Sequence, residues 1–184
     1  AEFAERRGFS VRRGVYGGRR GSAGTGEKTP AGGVGLEGGA ARIRYRHKAA
    51  DTGLRLRQAT ALGALCAARG ATFIINDDVA LARDVAADGV HLGRDDTSLV
   101  RARETLGDAA LIGASCYGSL ERAEAAVSAG ADYISFGSFF PSATKPDAAL
   151  ANLMLLAAAK ARWPIQVVAT GGIHAGNARS LTQP

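Results

Sequence analysis

From about residue 41 the chain alternates between short apolar runs and longer segments with helical spacing. ARIRYRHK (41–48) reads as a strand whose polar positions gather at its end. DTGLRLRQATALGALCAARG (51–70) sets Leu54, Leu62, Leu65 and Cys66 at helical intervals and stops at Gly70. ATFIIN (71–76) is an apolar, β-rich run, and DDVALARDVAADG (77–89) is a helix opened by Asp and closed by Gly89. The same alternation continues with GVHLG, TSLVRARETLGD, LIGAS, SLERAEAAVSAGAD, YISFGS, PDAALANLMLLAAAKAR and IQVVATGGI, with a last helix just beginning at Asn177. Strands apolar on both faces, alternating with helices, predict a parallel sheet with right-handed crossovers. Alternation alone fits either a doubly wound sheet or a barrel. In five units, however, the reactive residues follow the strand: Arg46 and Lys48, Asn76 and Asp77, Asp95 and Asp96, Ser115, and Ser142 to Lys145. A barrel gathers those carboxyl ends in one mouth, whereas an open sheet spreads them out. The expected fold is therefore α/β, a TIM (β/α)8-type barrel.

Residues 1–39 follow no such pattern. They hold 12 of the 25 glycines and three Arg pairs, with no sustained period. Such a segment buries too little apolar surface to offset its ordering entropy, so 1–39 is expected to be mostly disordered, with an RNA- or membrane-binding arm as the functional alternative. A first barrel strand is not recognisable there, and the chain stops at SLTQP before an eighth βα unit. Residues 40–184 are thus expected to form a partial barrel. Its open edges would favour homo-oligomerisation, and its turnover would be poor or absent.

Composition narrows the function. The formal charge of +6 is uneven, because residues 1–48 carry 11 Lys and Arg against 4 Asp and Glu. The remainder is near neutral, which argues against a nucleic-acid-binding face on the folded part. Cys66 and Cys116 show neither CxxC nor paired spacing, so a cytoplasmic, reducing setting is expected, without a zinc site. No apolar run approaches the roughly 18 residues of a membrane span, so no membrane partner is expected.

Two Asp pairs, Asp77-Asp78 and Asp95-Asp96, each follow an apolar run. One carboxylate from each would suit Mg²⁺, which is held by one or two carboxylates plus substrate phosphates. The other member of each pair is placed to cap the next helix, and simple capping fits the spacing as well. Arg44, Arg46 and Lys48 fall at i, i+2 and i+4, on one face of a strand, with Tyr45 and His47 on the other. That face suits either a bound anion or a solvated edge. In SFFPSATKP, Ser142 and Thr144 offer hydroxyls and Lys145 a mobile charge suited to phosphate. The glycine turn ATGGI allows close backbone approach to an anion. His47, His91 and His174 read as structural or solvated. Cys66 reads as core, and nothing beside Cys116 marks it as a nucleophile.

Taken in order, YRHK, FIINDDVALA, ADGVHLGRDD, LIGAS, GADYISFGSFFPSATKP and ATGGI resemble the thiamine-phosphate synthase family from about Ala41 to Asn177. The resemblance implies a (β/α)8 barrel that joins hydroxymethylpyrimidine diphosphate to thiazole phosphate with release of diphosphate. It implies Mg²⁺ on Asp77 and Asp96, the pyrimidine substrate at Asn76 and Ser115, and the diphosphate on Arg46, Lys48 and Lys145. These last three would carry the catalytic charge stabilisation. It further implies Ser142, Thr144 and the backbone of Gly172 at the thiazole phosphate. Arg44 stands where the family usually has Gln, a third cation on the substrate-binding face. A thiazole tautomerase-like relative, or an inactive fragment that keeps anion and Mg²⁺ affinity, are the alternatives. Small-molecule substrates are the partners expected.

Overall fold

A computed structural model describes residues 14–17, 40–47, 51–141, 150–174 and 176–181. The chain divides into two compact units, one spanning Arg12–Leu111 and the other running on from Ile112.

In the first unit four strands lie parallel in chain order: β1 (Gly14–Gly17), β2 (Arg42–Tyr45), β3 (Thr72–Asn76) and β4 (Gly89–Leu92). The register runs Gly14 to Arg42, Arg42 to Thr72, and Asn76 to His91. The crossover helices are α1 (Thr52–Ala68), α2 (Val79–Asp84) and α3 (Leu99–Leu106), the last lying after β4. Ile43, Tyr45, Phe73, Ile74, Ile75, Val90 and Leu92 are buried, so β3 and β4 are covered on both faces, as parallel strands require. A doubly wound sheet would reverse its strand order at a switch point, and the order here does not reverse.

Local chemistry sets the helix ends. Asp51 accepts from the Leu54 amide at 2.8 Å and opens α1, and Asp78 accepts from Leu81 at 2.9 Å and opens α2. α3 is capped by Ser98 rather than by Asp95 or Asp96, and it ends at Gly107 with φ +81°. There Arg103 donates to three carbonyls of the following loop, those of Gly107, Asp108 and Ala110.

The second unit holds β5 (Leu111–Tyr117), β6 (Tyr133–Phe136) and β7 (Gln166–Ala169), again parallel and in chain order. They alternate with α4 (Leu120–Ser128), opened by Ser119, and α5 (Met154–Arg162). Ile112, Cys116, Ile134, Phe136, Leu156 and Trp163 form its interior. Gly113 pairs with Tyr133, and a Cβ at residue 113 would collide with the Tyr133 ring.

Three expectations change. A strand does lie upstream of β2: β1 falls inside the segment read as unstructured. Ladder pairing is a main-chain property, and pairing with Arg42–Tyr45 orders four residues without an apolar run of their own. Second, α2 has six residues where the sequence reads as a longer helix, because Ala86 turns left-handed at φ +50°. Third, α5 begins only at Met154, not at the proline-led start of its run. The remaining residues of the 1–39 segment lie outside the described structure, apart from this strand.

Candidate functional site

The residues singled out after β2, β3 and β4 converge on one open cleft of about 470 Å³ in the first unit. Arg46, Asn76, Asp77 and Asp96 all line it. The strand alternation that placed the cations on one face holds for the described part. Ile43 and Tyr45 are buried, Arg44 is half-buried, and Tyr45 and His47 both reach Gln58 on α1. Arg46 lines the cleft with His47 and with Arg55 of α1, and its Nε lies 3.7 Å from Asp77 Oδ2.

The two members of the first Asp pair divide their work. Asp78 caps α2 through Oδ1, and its Oδ2 pairs with Arg55 of α1. Asp77 sits at φ +69°, a backbone conformation uncommon for a residue with a side chain. Its amide is held by the His91 carbonyl at 2.9 Å, and its carboxylate faces the cleft beside Arg46. A non-glycine residue in this region at a strand end is the sort of strain that clusters at functional sites. In the second pair Asp95 is exposed, while half-buried Asp96 lines the cleft and accepts from the Gly93 amide at 2.6 Å.

Full charges on the described lining are two guanidiniums, Arg46 and Arg55, against three carboxylates, Asp77, Asp78 and Asp96. Among the described residues no group of three or more His, Cys, Asp or Glu gathers as a protein-only metal cage. Two carboxylates with hard oxygen donors in one open cleft are, however, the donor set Mg²⁺ takes when substrate phosphates and water complete the shell. The residues present fit that ion.

His91 is 2% exposed in β4. Burial, with Arg44 and Arg42 adding to it, holds its pKa well below the ordinary histidine value, so the ring stays neutral. Both cysteines are buried and free, and burial pushes each thiol up to about 11. Neither is a nucleophile at neutral pH.

Ser115, on β5, and Gly172, in the turn after β7, belong to the second unit. Gly172 has φ +67°, and any Cβ there would meet the Phe140 carbonyl oxygen, so the turn keeps its backbone bare. Asn177 donates to the Gly172 carbonyl at 2.9 Å and pins the turn. Lys48, Ser142, Thr144 and Lys145 lie outside the described residues. Arg44 is not part of the cleft lining. The sequence pattern passed over Arg55 and Gln58, because one polar residue per turn in a helix is the ordinary signature of a solvated face.

The family model for thiamine monophosphate synthase matches residues 33–183. A thiamine-phosphate synthase of Chromobacterium violaceum is 57% identical over 143 residues, covering 78% of this chain and 69% of that protein. One of Thiobacillus denitrificans is 54% identical over 146 residues, covering 79% and 69%. Among solved structures, a thiamine phosphate pyrophosphorylase of Pyrococcus furiosus superposes with a TM-score of 0.83 at 36% identity, over 94% of this chain and 81% of that one. A cleft with Asp77, Asp96, Asn76 and Arg46 at successive strand ends, together with a family match over most of its length, leaves one conclusion: the chain belongs to the thiamine monophosphate synthase family.

Proposed function

We propose that the first-unit cleft is where this enzyme of thiamine biosynthesis holds hydroxymethylpyrimidine diphosphate for condensation with thiazole phosphate. The observation that carries the reading is the convergence of Arg46, Asn76, Asp77 and Asp96 on a single cleft. In the reaction the bond between the pyrimidine methylene carbon and the diphosphate oxygen breaks, and its electron pair leaves with diphosphate. The electron-rich aminopyrimidine stabilises the carbon left behind. The thiazole ring nitrogen then donates its lone pair to that carbon, forming the C–N bond of thiamine phosphate.

This path needs no nucleophile and no strong base, in keeping with two inert thiols and a neutral buried His91. It needs charge stabilisation on the leaving group. Arg46 supplies that from the cleft wall, and Lys48 and Lys145 are assigned the same duty from sequence. Asp77 and Asp96 would hold Mg²⁺, which when bound neutralises charge on the departing diphosphate. From sequence, Asn76 and Ser115 are each assigned to the pyrimidine substrate, and Arg44 to the substrate-facing side of β2. Ser142, Thr144 and the Gly172 turn are assigned to the thiazole phosphate. We read the chain-ordered parallel strands as parts of a (β/α)8-type barrel, and the two buried free thiols suit a cytoplasmic setting.

The test is purified protein with both substrates and Mg²⁺, assayed for thiamine phosphate and diphosphate. Product that disappears on chelation and returns with Mg²⁺ supports the assignment. Full turnover in EDTA overturns the metal part of it.

A further inference from the structure

Helix α1 carries two polar side chains one turn apart, Arg55, which lines the cleft, and Gln58, which holds Tyr45 and His47 beside it. Gln58 is 3% exposed, within an otherwise apolar buried face of Ala59, Leu62 and Cys66. A buried amide persists only where it is hydrogen-bonded. Its Oε1 accepts from the Tyr45 hydroxyl at 2.9 Å and is hydrogen-bonded with His47 Nδ1 at 3.0 Å. Tyr45 and His47 are the residues on either side of Arg46. Holding both on Gln58 fixes the backbone from which Arg46 reaches the cleft, whose lining also includes His47 and Arg55.

Arg55 does the corresponding thing at β3. It pairs with Asp78 Oδ2, while Asp78 Oδ1 is spent on the Leu81 amide. Asp78 is thereby gripped from two sides, and the residue before it is Asp77, held at φ +69°. One helix thus grips the neighbours of both Arg46 and Asp77, whose side chains face each other at 3.7 Å. We infer that Arg55 and Gln58 are positioning residues that set the spacing of Arg46 and Asp77, and so the affinity of the cleft for Mg²⁺–diphosphate. This rests on the function proposed above.

The test uses the full chain, with inorganic diphosphate plus Mg²⁺ as the calorimetric probe. Variants are Arg55→Met and Gln58→Leu, with Arg55→Lys and Gln58→Glu as conservative partners that keep the cation and the acceptor. Outer-shell partners of a metal site are typically worth 10- to 100-fold in affinity or activity. The first two variants should each weaken probe binding by about tenfold or more on that scale. They should raise KM for the pyrimidine diphosphate, leave KM for thiazole phosphate unchanged, and the conservative partners should recover much of the loss. If the variants melt earlier yet bind the probe as wild type does, the two residues are merely structural and the inference fails. Should Arg55→Met not fold, unaltered probe binding by Gln58→Leu alone would sink it, and weakened binding would sustain it. A wild type that ignores Mg²⁺–diphosphate overturns the functional reading and this inference together.

Discussion

Asp77 shows how one residue carries two separable burdens. Its carboxylate faces Arg46 across the cleft, while its backbone sits at φ +69°, which a side chain disfavours by about 1 kcal/mol. Asp77→Ala and Asp77→Gly should both lose roughly 10²-fold or more in turnover, the scale of losing a charge-stabilising metal contact. Urea unfolding should nevertheless rank Asp77→Gly above Asp77→Ala by about 1 kcal/mol, because glycine takes the left-handed backbone freely. Equal stabilities would show that the strain is not felt. His91 gives a second residue-scale expectation, in pH. Its folded pKa lies well below the ordinary value near 6.5, so the unfolded chain takes up the proton first as pH falls. The stability linked to neutral His91 is therefore whole above about pH 6.5 and drains away below it. The urea midpoint of the wild type should fall more between pH 7 and pH 5 than that of His91→Gln. Parallel pH profiles would contradict this. At this scale the sequence was informative where residue type and position agreed. The gathering of Arg46 and Asp77 at strand ends and the alternation of Tyr45 away from the cations could both be read from spacing; their pairing at 3.7 Å could not. Gln58 could not: only the folded contact reveals that it is buried, since its neighbours Arg57 and Thr60 are exposed and polar.

At the scale of elements, boundaries followed capping chemistry more than hydrophobic pattern. Both Asp pairs looked equally able to open a helix, yet only Asp78 does so. After β4 the loop runs three residues further than the pair suggests, and Ser98 caps α3 with a 3.3 Å bond from the Arg101 amide. Ser98→Ala should therefore cost about 1 kcal/mol in urea unfolding, whereas exposed Asp95→Ala should stay within about 0.5 kcal/mol. The reverse ranking would mean that α3 starts at the aspartates after all. β1 was illegible for a different reason. Four residues, GVYG, borrow their order from the Arg42–Tyr45 ladder rather than from any pattern of their own.

Across the molecule, what the alternation promised was the class, parallel strands with crossover helices, and the structure keeps it in each unit. The strand order within each unit follows the chain, which settles against a doubly wound arrangement for the stretches it covers. The distribution of chemistry was also legible. Arg46, Asn76, Asp77 and Asp96 come from the ends of three successive strands, so adjacency in the sheet, rather than any one loop, assembles the cleft. Among the described residues no helix is long and apolar enough to cross a membrane.

The collision that a Cβ at residue 113 would have with the Tyr133 ring makes these two positions a single choice written twice. Neither can drift alone. Gly113→Ala by itself should unfold the second unit's strand pairing or drop soluble yield. A library randomised at both positions together should instead recover small-with-large combinations in either order, the volume being conserved across the pair while each residue's identity changes. Selection for folding that returned alanine at 113 with tyrosine retained at 133 would show that the neighbouring backbone gives way. Such a result would mean the interior has more slack than its shape implies.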